Sequence, residues 1–292
     1  MTRRKWLALA AGASGLATPP TSVVIDSHVH VWKHDSAFPF APGAKPPAED
    51  ASAEMLLGRM AANSVARTVI IQVIHYRWDN SYLASVLKHY PGKFHGVCRI
   101  NPEDPAAPDH LSALTAQGFH GVRISPSANP DGDWIKGPLM PPLWRRCAEL
   151  KVPMTVLAPV TRMPDIAPLI ERNPGLNVVI DHMADSPLDQ PARLELLLAL
   201  ARYPRVFVKI SHMWSLSKQP FPYPDAQAQV RRLRDAFSAH RLMWGTDWPI
   251  SLKQLPYEKA VQLFRDRFDF LSPEEHEWVM GRTVQQVWPF NL

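Results

Sequence analysis

At 292 residues, with 46% hydrophobic and 20% charged residues, the chain has the composition of a folded globular protein with one large core. That excludes a disordered chain and a membrane-embedded body. The net charge of +5 falls to about +2 once Arg3, Arg4 and Lys5 at the N-terminus are set aside, too little to imply a nucleic-acid partner. Only Cys98 and Cys147 are present, which excludes a disulfide framework; both read as small buried packing residues.

Residues 1–21 form a segment of their own. Thr2-Arg3-Arg4-Lys5-Trp6-Leu7 is a basic start, Ala8 to Ala17 a short apolar run and Thr18-Pro19-Pro20 a stop, with Gly15 and Ala17 suited to cleavage. The run is too short to cross a bilayer, which needs about 20 residues. The pattern resembles a twin-arginine export signal and predicts a periplasmic or otherwise exported domain over residues 22–292. The alternative is a plain N-terminal extension on a cytoplasmic protein.

Eight short, β-branched apolar runs follow, and each reads as a buried strand: Val23 to Val31, Thr68 to His75, His95 to Ile100, Phe119 to Ile124, Pro153 to Leu157, Asn177 to His182, Arg205 to Ser211 and Arg241 to Asp247. Helical stretches separate them at Glu54 to Asn63, Tyr82 to His89, Asp109 to Ala116, Leu143 to Leu150, Ile166 to Asn173, Arg193 to Ala201 and Asp225 to Ala239. A last helix, Pro273 to Val287, starts at Ser272 as cap. Strict alternation of strand and helix, with no G-x-G-x-x-G after the first strand, predicts a (β/α)8 TIM barrel. The proline-rich loops Ala37 to Pro47, Pro126 to Pro142 and Ser217 to Pro224 follow strands one, four and seven, at the end of a barrel where active sites are built.

The strand ends carry the candidate chemistry. His28 and His30 share one face of the first strand because side chains alternate with period two. In a closed barrel the last strand pairs with the first, so Asp247 is expected beside both histidines. Strand two offers His75, as a rim residue or an ordinary polar strand end. Strand four offers Arg123, as a structural ion pair or a bidentate clamp for a carboxylate or carbonyl. Strand six offers Asp181 and His182, the latter touching substrate or orienting Asp247; strand seven offers Lys209 and His212. Trp214 and Trp248, with Trp32, either stack on a planar ring or pack the mouth. The other histidines, among them His34, His89, His95, His110, His120, His240 and His276, read as structural.

The motifs Ile25-Asp26-Ser27-His28-Val29-His30, Gly121-Val122-Arg123, Ile180-Asp181-His182, Val208-Lys209-Ile210-Ser211 and Trp244-Gly245-Thr246-Asp247-Trp248-Pro249, in this order, resemble the amidohydrolase superfamily. More narrowly they resemble its amidohydrolase-related (amidohydrolase 2) branch, which includes 2-pyrone-4,6-dicarboxylate lactonase, sulfomuconolactone hydrolase and sugar-lactone hydrolases. The resemblance implies water attack on a lactone, with Asp247 as general base and His28, His30 and Arg123 polarising the carbonyl. Many relatives bind a divalent ion through ligands that include residues of strands four and five. Here strand four carries Arg123 and strand five no histidine, which argues against a two-metal site. Either no cofactor is required, the arginine cation repelling a metal, or a single zinc or manganese ion sits on His28, His30 and Asp247. The dicarboxylate lactonase relatives carry further arginines in the loops after strands four and seven. These are missing here, so the expected partner is a monocarboxylate, neutral or partly apolar lactone. A metal-dependent non-oxidative decarboxylase and a non-catalytic binding barrel are the alternatives, and a homo-oligomer is left open.

Overall fold

The computed structural model describes residues 23–125 and 134–292; the expected export segment and the first part of the loop after the fourth strand lie outside them. Eight parallel strands pair in sequence order: β1 Ile25–Val29, β2 Arg67–Ile71, β3 Phe94–Arg99, β4 Gly121–Ile124, β5 Met154–Val156, β6 Val178–Ile180, β7 Val206–Lys209 and β8 Leu242–Met243. The ring closes through the segment after β8, where Ser27 N donates to Trp244 O (3.3 Å), Asp247 N to His28 O (2.9 Å) and His30 N to Trp248 O (2.7 Å). The expected TIM barrel is the fold observed.

Two apolar layers divide by strand alternation. Ile25, Val69, Ile71, Val97, Val179, Phe207 and Met243 point into the barrel, where Val287, Trp288 and Phe290 from the C-terminal segment pack beneath them. Their neighbours Ile70, Cys98, Val122, Val178, Val206 and Val208 point outward into the larger core under the helices. Because Val122 and Ile124 face outward, Arg123 faces inward, and the same parity turns Arg99 and Lys209 inward. β1 departs from the rule: its pairing with β2 slips by one residue between Asp26 and Val29. That bulge switches parity, so Ile25 and the pair His28 and His30 all face inward while Val29 faces out.

The helices α1 Ala53–Ala62, α2 Ser81–His89, α3 Ala107–Ala116, α4 Met140–Leu150 and α5 Met163–Glu171 begin earlier than the sequence predicts, by one to three residues. The expected helix Arg193 to Ala201 is in fact α6 Leu194–Leu198 between two 3-10 turns; α7 Met213–Leu216 and α9 Tyr257–Asp266, on either side of α8 Pro224–Phe237, were not anticipated. Ser272 caps as expected, in a capping box with Glu275. The terminal helix is α10 Pro273–Glu277 and α11 Thr283–Val287, joined by a π turn over Trp278–Arg282. Gly281 in that turn lies against β1: a Cβ there would stand 1.9 Å from the Val23 carbonyl oxygen.

At the base of the barrel the His95 and His120 rings meet at a 47° tilt with centroids 3.7 Å apart, and His95 Nε2 meets Pro289 O at 3.0 Å. Burial, then the charge of His95, pushes His120 down to about 4, and burial also lowers His95.

Two outcomes follow from this packing. Gly281→Ala should lower stability by about 1–3 kcal/mol, the usual cost of overpacking, read from urea denaturation. Because both histidines are harder to protonate folded than unfolded, stability should fall as pH drops from about 6.5 towards 4, and His120→Phe should reduce that acid loss in a pH series of melting temperatures.

Candidate active site

Above the apolar floor lies a charged layer. Lys209 Nζ stands 5.4 Å over the Trp288 ring and 3.1 Å from both Asp181 Oδ1 and His28 Nδ1. Arg123 Nε approaches Asp181 Oδ2 at 3.0 Å, and His28 Nδ1 approaches Asp181 Oδ1 at 3.4 Å. Asp181 is fully buried. Burial alone would raise its pKa, but Lys209, then His28 and Arg123, hold the carboxyl well below the usual range. Arg123 is therefore an ion-paired residue, and it shares the Asp181 charge with Lys209.

The upper layer is Asp247 and its histidines. Asp247 Oδ1 lies 3.6 Å from His28 Nε2 and 3.5 Å from His30 Nε2, while Oδ2 meets His212 Nε2 at 2.8 Å. The other ring nitrogen of His212 faces Asp185 Oδ1 at 3.2 Å. Burial opposes a charge on His212, but the hydrogen bonds to Asp185 and Asp247 outweigh it and push the ring up to about 9. Burial likewise opposes charge on Asp247, and the hydrogen bond from His212, with the other histidines around it, holds the carboxyl well below its ordinary range. His182 stacks on His212 with centroids 3.7 Å apart and an 11° interplanar angle, and its Nδ1 meets Ser211 Oγ at 2.7 Å. Burial, then the His212 cation, holds His182 well below its usual pKa.

These side chains reach the mouth because the chain leaves the ladder early. His182, Met183, Ala184 and Asp185 have φ of 52°, 55°, 54° and 44°, His212 has 67° and Asp247 57°. Each left-handed non-glycine residue costs of order 1–3 kcal/mol and persists where its surroundings hold it. Asp26 does part of that holding: its Oδ1 accepts from His28 N and Thr246 N, and its Oδ2 accepts from Thr246 Oγ1 at 2.7 Å, tying the β1 bulge to the turn before Asp247. Gly245 permits the approach, since a Cβ there would come within 2.9 Å of His28 Cβ.

His75 lies outside β2, in a 3-10 turn over Ile74–Tyr76, with its ring edge-on to Trp32 at 5.6 Å. Trp214 meets His212 edge-on at 5.1 Å. Trp248 is 1% exposed and packs in the larger apolar core. Asp181 was read from sequence as a strand-end candidate with no role attached, and Asp185 and Asp26, which also hold these side chains in place, were not singled out. Cys98 and Cys147 are buried and free.

The three converging atoms fit a divalent ion. Tetrahedral zinc with bonds of 2.0–2.1 Å places ligand atoms about 3.3–3.4 Å apart; His28 Nε2, His30 Nε2 and Asp247 Oδ1 are separated by 3.3, 3.5 and 3.6 Å. His30 Nδ1 donates to Ile71 O at 2.7 Å, which leaves a lone pair on Nε2, the usual support for a histidine ligand. His28 has two tautomers within reach. With Nδ1 accepting from Lys209, its Nε2–H points at His30 and Asp247; with Nδ1–H donated to Asp181, the Nε2 lone pair faces them.

Comparison with known proteins settles the lineage: an amidohydrolase family profile matches residues 25–290. The chain belongs to the amidohydrolase family. This amidohydrolase is 29% identical to an L-fucono-1,5-lactonase of Burkholderia ambifaria over 237 residues, covering 78% of this chain and 80% of that one. It is 26% identical to a 4-sulfomuconolactone hydrolase of Hydrogenophaga intermedia over 260 residues, covering 86% and 83%. A Pseudomonas putida structure described as a candidate 2-pyrone-4,6-dicarboxylic acid hydrolase superposes with a TM-score of 0.81 at 26% identity, covering 93% of this chain and 99% of that one.

Asp181→Asn in this amidohydrolase should cost roughly 3–5 kcal/mol in denaturant unfolding, because it leaves two buried cations without their shared counter-charge.

Proposed function

We propose that this amidohydrolase hydrolyses a lactone ring, with Asp247 as the base. The observation that carries the reading is the division of labour on one carboxylate: Oδ2 is held by His212, while Oδ1 faces His28 and His30 across the open end of the barrel. The lactone relatives support the same reaction class.

Water attacks the carbonyl carbon as Asp247 Oδ1 takes its proton. Negative charge then gathers on the carbonyl oxygen, where His28 Nε2–H can donate while Lys209 holds the ring in that tautomer. Arg123 has its Nε on Asp181 and no described residue accepts from its Nη groups, which remain for the carbonyl or the ring oxygen. As the tetrahedral intermediate collapses, the ring C–O bond breaks and the proton on Asp247 passes to the leaving alkoxide, giving a hydroxy acid. His182 backs His212 by stacking, and His75 and Trp214 border the mouth. A zinc or manganese ion held by His28, His30 and Asp247 would supply Lewis-acid polarisation of the same carbonyl.

The basic start of residues 1–21 supports export by a twin-arginine-type route, which cell fractionation with and without Arg3 and Arg4 would test.

The deciding experiment is acid release from a panel of sugar, muconate-type and aromatic lactones. Turnover by the wild type and a fall in kcat of about 10²–10⁴ in Asp247→Asn are expected; a loss below about tenfold overturns the base assignment. Turnover that survives chelation places carbonyl polarisation on His28 and Arg123, and turnover lost to chelation and restored by zinc or manganese places it on the ion. Silence across the panel with release of carbon dioxide from aromatic acids replaces the lactonase reading with a decarboxylase.

A further inference from the structure

Each cation of the two layers described so far has a carboxylate beside it: Arg123 and Lys209 share Asp181, and His212 lies between Asp185 and Asp247. Arg99 has none among the described residues. It ends β3 directly alongside Arg123 in the parallel register, and the outward-facing Cys98 and Ile100 on either side place its side chain on the inner face. Arg99 is 4% exposed. Its guanidinium makes one side-chain hydrogen bond, Nη2 to Ser125 Oγ at 2.8 Å, and lies 5.2 Å from the centre of the Trp78 ring. Its Nε is buried without an acceptor.

A buried charge with no counter-ion is costly unless a ligand completes it. Burial, then the charges of Arg123 and Arg77, pushes Arg99 down to about 9, which is the same cost seen from the proton's side. Ser125 lies two residues beyond Arg123 on the same face, so the bond to it draws the guanidinium upward, towards the mouth. Arg99 and Trp78 also wall a cleft of about 470 Å³ that reaches α3 and carries Asp79 and Asp104, so its positive end is at Arg99.

We propose that Arg99, with the Ser125 hydroxyl and the Trp78 ring, is a carboxylate-binding subsite on the β3–β4 side of the mouth, and that the substrate is therefore a lactone bearing a carboxylate. The planar fork of a guanidinium matches a carboxylate, and an aromatic face behind it holds the fork in place. A buried cation with no carboxylate beside it accounts for a negative charge on the ligand, which separates this substrate from a neutral sugar lactone. The proposal rests on the lactonase reading and supplies its specificity.

The test compares a five-membered lactone carrying a carboxymethyl group with its methyl ester. Wild type should prefer the acid, and Arg99→Met should lower kcat/KM for the acid about 10- to 100-fold more than for the ester, the range expected when a charge-assisted hydrogen bond is lost. Arg99→Lys should fall between, keeping the charge but losing the fork. Equal losses on both substrates, or a wild-type preference for the ester, overturn the subsite. A binding measurement separates this outcome from failure of the lactonase reading: cyclopentylacetate should raise the melting temperature of the wild type more than its methyl ester does, whether or not either lactone is turned over. Equal shifts overturn the subsite even if Arg99→Met does not fold.

Discussion

One buried carboxylate, Asp181, supports the interior of this barrel. It is the shared counter-charge of Arg123 from β4 and Lys209 from β7, and its Oδ1 also stands within reach of His28 from β1. These contacts lie at ion-pair distances of 3.0–3.4 Å without the alignment of ideal hydrogen bonds, so their strength comes from charge in a low-dielectric interior. The orientation of His28 follows from it, because Lys209 and Asp181 compete for the same ring nitrogen. Through His28 the balance of charge in the lower layer reaches Asp247 in the upper one.

The upper layer depends on a different constraint. Asp247, His212 and His182 all stand on left-handed backbone just past a strand end, and none of them is glycine. In an unconstrained loop such residues would relax to ordinary conformations. Here the Asp26 carboxylate gathers two backbone N–H groups and the Thr246 hydroxyl, the strand-closing bonds fix Asp247 N on His28 O, and His212 is gripped by two carboxylates. Local backbone strain is thus balanced by buried polar contacts that also set the catalytic geometry.

The barrel was legible because eight apolar runs alternate with amphipathic stretches, a pattern that few folds satisfy. The meeting of His28, His30 and Asp247 was legible too, since strand parity and closure predict it. Strand ends were not. The apolar run Arg241 to Asp247 contains only two residues of ladder, Leu242–Met243, because its later members bond to β1 through turns whose left-handed residues carry no glycine to mark them. Nor could sequence reveal Asp181 as a hub, since its partners come from three different strands. Arg123 was left between an ion pair and a clamp for the same reason, whereas Arg99, an unremarked arginine in an apolar run, ends its strand on the inner face with no carboxylate beside it among the described residues. Trp248 was read as stacking on a planar ring or packing the mouth, and its ring is buried in the larger apolar core.

The floor of the barrel has its own consequence. Trp288 and Phe290 fill the end opposite the catalytic residues, and Lys209 rests directly on the Trp288 ring. The interior is therefore a cup and not a tunnel. Substrate and product share one doorway, so a hydroxy acid formed at the bottom must depart along the path by which the next lactone arrives. Such an enzyme experiences its product as a competitor, and its throughput depends on how quickly the newly made carboxylate is drawn away from the cations that line the walls.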